Sequence, residues 1–228
     1  MQKDIYIIGD IHGQITQLID TIERTQLEKC YLICVGDLGV GFINKIQNDV
    51  IFTNLNKFLR SRKITFLSIR GNHDDPDYFD GNFKYSNVKL LKDYTTMKIN
   101  DEKFLFVGGA VSVDRTYRQE GVSYWSDEVF ILDDSKVKEC DVLITHSAPM
   151  WIGPHTKKGI NHLCERDEFL WDDILEERDM IEKLINLSKP KNHYCGHFHE
   201  SFKVEHDGVK SQILDIFEIV DHHTVNNL

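Results

Sequence analysis

Residues 4–13 read DIYIIGDIHG. The run from Ile5 to Gly9 is apolar, short and closed by glycine, which predicts a buried strand and excludes a signal-peptide core or a membrane span. Directly after it stand Asp10 and His12, two apart, which an extended backbone sends to the same side. A buried strand ending in glycine and polar side chains is the unit from which the rest of the chain can be read.

Working outward, 14–26 has helical spacing in Ile15, Leu18, Ile19 and Ile22. YLICVG at 31–36 predicts a second strand, 49–62 a helix and ITFLSI at 64–69 a third strand. Strand and helix alternating in this way predict right-handed crossovers and a parallel sheet. Short strands are expected at 95–99 and 103–107, a buried strand at 141–145, and a mostly helical stretch from Glu165 to Leu187 with a solvated charged face. Near the end, 193–195, 202–206 and 212–216 read as strands, the last two joined by a turn at Asp207-Gly208. Two mixed sheets packed together with helices outside accommodate this order.

The second strand ends in Gly36-Asp37-Leu38-Gly39 and the third in Gly71-Asn72-His73-Asp74. Two later strands end in Thr145-His146 and in Gly196-His197-Phe198-His199. Ligands of open α/β sheets bind outside the carboxyl ends of the strands, so these loops are expected to share one edge. Carboxylates, imidazoles and an amide in such number suit a pair of divalent first-row metals, with one Asp able to bridge them. Taken singly each piece is an ordinary turn or cap; the conjunction directly after apolar strands is what carries the reading.

With 228 residues, 41% of them hydrophobic, and without a linker or internal repeat, the chain is expected to form a single α/β domain over 1–228. A formal charge of -10 argues against an extended nucleic-acid interface and against anionic membranes. The five cysteines form no CxxC pair, so buried thiols in a cytoplasmic protein are expected rather than a disulfide framework.

GDIHG, GD, GNHD, TH and GHFH, in this order from position 9 to 199, resemble the motifs of the calcineurin-like metallophosphoesterases. The resemblance implies a four-layer α/β/β/α sandwich of two mixed sheets and a phosphoesterase carrying two divalent ions, drawn from Mn, Fe, Zn, Ni or Co with Mn the leading expectation. It places Asp10, His12 and His199 on one ion, Asn72, His146 and His197 on the other, and Asp37 between them. The attacking group would be a hydroxide shared by the ions. His73 resembles the family histidine that protonates the leaving oxygen, and Asp74 would orient and charge it.

The chain departs from the protein Ser/Thr phosphatase branch at GDLGVGFIN, 36–44, where that branch carries an Asp and a phosphate-gripping Arg. Arg70, before GNHD, still matches the branch. Further cations, Arg115 and Arg118, lie among the aromatics of 108–128. That segment is expected to wall the substrate cleft, or alternatively to pack Trp125 into the core. A second segment, 151–165, with His155, Lys157, Lys158 and His162, is a candidate lid.

Other phosphate chemistries find no support. There is no GxxxxGK[ST], no cysteine with Arg six positions later, and Phe79 occupies a ligand position of the calcium loop that HDDPDYFDGN superficially suggests. The leading expectation is a phosphomonoesterase acting on phosphoproteins, small phosphates or nucleotides. The alternatives are a phosphodiesterase of nucleotides or nucleic acid ends, and a non-catalytic metal-binding scaffold for a protein partner.

Overall fold

The computed structural model describes residues 2–83, 85–153 and 157–225. The first half alternates strand and helix: β1 (Asp4–Ile8), α1 (Ile15–Arg24), β2 (Cys30–Cys34), α2 (Lys45–Ser61), β3 (Thr65–Ser68) and β4 (Val88–Leu90). The second half contains β5 (Thr95–Ile99), β6 (Glu102–Phe106), β7 (Val142–Ile144), the short α3 (Asn161–Cys164) and α4 (Leu170–Ser188). It closes with β8 (Asn192–Cys195), β9 (Phe202–His206), β10 (Val209–Ile213), β11 (Ile219–Asp221) and α5 (His222–Val225).

One sheet has the order β11-β1-β2-β3-β4, parallel throughout except for antiparallel β11. The other runs β5-β6-β7-β8-β10-β9, with a parallel centre and an antiparallel strand at each edge. Both sheets are mixed, as expected.

Strand periodicity explains the layers. Ile5 and Ile7 of β1, with Ile33 and Leu67, face Phe104, Phe106, Val142, Ile144 and Tyr194 of the opposite sheet. Ile8, Leu32, Cys34 and Phe66 point the other way, onto Leu18 and Ile22 of α1 and Phe52, Leu55 and Leu59 of α2. On the far side Leu105 and Leu143 pack against Ile181, Leu184 and Ile185 of α4. Residues alternate between a sheet-on-sheet core and a helix-on-sheet core, giving the α/β/β/α sandwich. Cys30, Cys34, Cys140 and Cys195 are buried in it and none of the five cysteines is paired.

Element boundaries differ from expectation in a few places. Asp207 and Gly208 have φ of 49° and 79°, the geometry of a two-residue hairpin turn, which puts Val209 opposite His206 and starts β10 three residues before the expected strand. The stretch 165–169 forms turns in which Arg166 and Asp167 donate to the Leu163 carbonyl, so α4 begins at Leu170. β4 and β11, three residues each, are too short to show a period. Among the described residues no helix is long and apolar enough to cross a membrane.

Candidate metal centre and its cleft

The carboxyl ends of β1, β2 and β3 from one sheet, and of β7 and β8 from the other, meet at one edge. Asp10, His12, Asp37 and His199 each offer a ligand atom, all within 4.8 Å of one another. His12 Nε2 and His199 Nε2 stand 2.9 Å apart, with Asp10 Oδ2 3.3 Å from His199 and 3.9 Å from His12. Beside this group Asn72 Oδ1 lies 3.1 Å from His146 Nε2 and 2.9 Å from His197 Nδ1. Asp37 reaches both groups: Oδ2 is 3.8 Å from His12 Nε2 and Oδ1 is 3.1 Å from His146 Nε2.

Local backbone geometry aims these side chains. His12, Asp37, His197 and His199 have φ of 49°, 50°, 70° and 52°, a left-handed conformation that costs a non-glycine residue roughly 1–3 kcal/mol. The fold holds four such residues where strands give way to loops, which turns their side chains inward. The neighbouring glycines are needed for space: a Cβ on Gly71 would lie 2.0 Å from Asp37 Oδ1, and one on Gly196 2.1 Å from Asp10 Oδ1. The Gly-Asn and Gly-His pairings at 71–72 and 196–197 are thus a packing requirement of the site.

Supporting contacts fix the donors. His146 Nδ1 donates to the Val35 carbonyl at 2.8 Å, leaving Nε2 free to face Asp37. Asn72 Nδ2 donates to Ser112 Oγ at 3.0 Å, and Ser112 in turn donates to the buried Glu128, which orients Oδ1 toward the histidines. Ser112 and Glu128 were invisible as site residues in the sequence, where neither type carries a signal by itself.

The electrostatics fit cations. Burial pulls His146 down, yet Asp37 and Asp10 lift it overall to about 10. Burial pushes Asp37 up, but His146, His73 and His12 hold it below the usual carboxylate range. Buried carboxylates at this edge draw a proton onto a fully buried imidazole when no other positive charge is supplied. Divalent ions meet the same demand with imidazole and carboxylate donors already converged, so the residues present fit a metal centre.

Around the centre, a cleft of about 480 Å³ is lined by Val113, Asp114 and Arg118 together with His73 and the exposed side of the donor set. The 108–128 segment therefore walls the cleft, and Trp125 sits half-buried with its ring 5.2 Å from that of Phe42 rather than in the core. Arg118 Nη2 is 2.5 Å from His73 Nε2 and 2.6 Å from Asp114 Oδ1, and Nη1 donates to the Asn72 carbonyl.

Three of the expected residues meet partners other than those anticipated. Asp74 does not pair with His73: its fully buried carboxylate accepts from the amides of Leu38, Gly39, Val40 and Gly71, tying the β2 loop to the β3 loop. Arg70 is buried in an ion pair with Asp93 and donates to the carbonyls of Asp127, Glu128 and Val129, so it staples the wall from behind. Arg115 is held by Asp167 and Asp173, ahead of and within α4. Lys157, Lys158 and His162 are exposed and line neither cavity at the centre, while His155 lies outside the described residues.

A family model described as calcineurin-like phosphoesterase matches residues 3–201. Among curated proteins there is no significant match. Among solved structures the chain resembles a dimetal phosphatase from Danio rerio at 10% identity and a TM-score of 0.50, covering 94% of this chain and 87% of that one. It also resembles a phosphopantetheinyl hydrolase from Mycobacterium tuberculosis (13% identity, TM-score 0.44, 94% and 90% covered) and an archaeal phosphodiesterase (14%, 0.40, 97% and 94%). At these identities the likeness is one of fold.

Proposed function

Because the chain belongs to the calcineurin-like phosphoesterase family, hydrolases acting on phosphoric esters, we propose that it is a dinuclear metal-dependent phosphomonoesterase. The observation that carries this reading is Asp37, one carboxylate facing two separate donor sets. Asp10, His12 and His199 would hold one ion, Asn72, His146 and His197 the second, with Asp37 shared. Two divalent ions held there, Mn in the leading case, would lower the pKa of a bound water and neutralise phosphate oxygens.

The chain's own residues do the rest. Arg118 presents guanidinium donors to a phosphate oxygen at the cleft and favours the dianionic terminal phosphate of a monoester. His73 delivers a proton to the leaving oxygen. Burial and the Arg118 charge push its imidazole down to about 4 against the pull of Asp37, so it is neutral before substrate arrives. A phosphate dianion between the two offsets the guanidinium charge and favours the imidazolium, which ties proton delivery to substrate charge.

The test is hydrolysis of p-nitrophenyl phosphate and bis-p-nitrophenyl phosphate side by side on Mn-reconstituted protein, with His73→Ala as control. Preference for the monoester, reduced in the variant, is the expected result. Preference for the diester would replace the monoesterase reading with a phosphodiesterase one.

A further inference from the structure

A second cavity, about 310 Å³, opens beside the metal cleft. Ile15, Leu38, Phe42, Ile43, Ile51 and Phe52 line it with one amide, Asn48, and His12 and His73 belong to both cavities. It is therefore continuous with the place where the leaving oxygen must sit. Phe42 packs near-parallel to His73 with ring centroids 5.9 Å apart and takes Trp125 edge-on, so the passage between the cavities is aromatic. Among the described residues no Lys, Arg, Asp or Glu lines the cavity. Leu38, Phe42 and Ile43 come from the stretch 36–44, in which the sequence carries apolar residues after Asp37.

We propose that this cavity is the leaving-group pocket, and that it selects phosphate esters of an apolar, ring-bearing alcohol over esters of polyols or charged alcohols. The inference rests on the phosphoesterase reading and specifies its substrate class. A polyol or a charged group entering the cavity would lose water without gaining a charged partner, whereas an apolar ring gains by leaving water. With the phosphorus at the metal centre and His73 at the junction, such an alcohol would lie along Phe42 toward Ile51 and Phe52. The ester bond breaks between phosphorus and the leaving oxygen, a water supplies the hydroxyl added to phosphorus, and the alcohol departs with a proton.

The experiment is titration calorimetry of metal-loaded protein with methylphosphonate and benzylphosphonate, on wild type, Ile51→Ser and Phe42→Ala, with hydrolysis of phenyl phosphate measured in parallel. Both phosphonates present the same anion to the metal centre, so the ratio of their Kd values reads the pocket alone. The expected result is that benzylphosphonate binds about tenfold tighter or more, as one ring removed from water predicts, and that each variant shrinks the ratio. Equal affinities with phenyl phosphate still hydrolysed would overturn the pocket and leave the phosphoesterase reading intact. An unchanged ratio in both folded variants would likewise overturn it. Failure of both phosphonates to bind, with no ester hydrolysed, would remove the phosphoesterase reading and the pocket with it.

Discussion

On the floor of the cleft, seven side chains from five strand ends converge, and glycines leave room for three of them, Asp10, Asp37 and His146. On the wall, Arg115 and Arg118 stand three residues apart in one irregular segment and end in different places. A single 3-10 turn, Arg115–Tyr117, separates them, and Arg118 then goes extended with φ of -101° and ψ of 163°. Arg115 is captured by two carboxylates near the start of α4 while Arg118 reaches His73. Regular structure makes the position of a floor residue follow from its neighbours in sequence; the wall depends on partners supplied from elsewhere in the chain.

The largest effect that would sharpen this contrast lies on the floor. Asp37→Asn should lose metal and lower kcat/KM about a thousandfold, as expected if a shared carboxylate supports several kcal/mol of transition-state stabilisation. Metal analysis showing both ions retained with near-native turnover would contradict the sharing. Next comes Asp74→Ala, which strands four backbone amides and should cost about 3 kcal/mol or more in denaturant unfolding. An unchanged midpoint with a fall in kcat alone would restore Asp74 as a partner of His73.

His73→Ala should keep the metals and lower kcat about a hundredfold, most for poor leaving groups. Equal losses across leaving groups would break its assignment as proton donor. On the wall, Arg118→Met should raise KM about tenfold, the scale of one charged hydrogen bond. Its removal should also raise the His73 pKa, because the guanidinium charge opposes the imidazolium, a shift that NMR titration of metal-free protein reads directly. Arg115→Met is the smallest effect: KM within about twofold, with a stability loss of about 1 kcal/mol from its ion pairs. A KM change matching that of Arg118→Met would erase the distinction between the two arginines.

Legibility followed the same division. Asp10, His12, Asp37, Asn72, His146, His197 and His199 stood out because each directly follows an apolar strand, and the structure brings all seven together. The roles expected of Arg70, Arg115 and Asp74 rested on adjacency to a motif or on residue type, neither of which says what a side chain will meet. Asp74 follows His73 in the chain, yet its carboxylate turns toward the amides of another loop. Ser112 and Glu128 lie within the wall segment, but their chain of hydrogen bonds to Asn72 exists only once β3 and the wall are side by side.

By itself, the sequence determined the order of the longer strands and helices and the edge at which the donors gather. These follow from short-range periodicity, which fixes the side of a strand on which a residue lies. The tertiary structure alone decided the left-handed backbone at His12, Asp37, His197 and His199, the different partners of Arg70, Arg115 and Arg118, and the apolar cavity behind His73. Each of these depends on packing between segments distant in the chain, where van der Waals exclusion and the satisfaction of buried polar groups outweigh local preference.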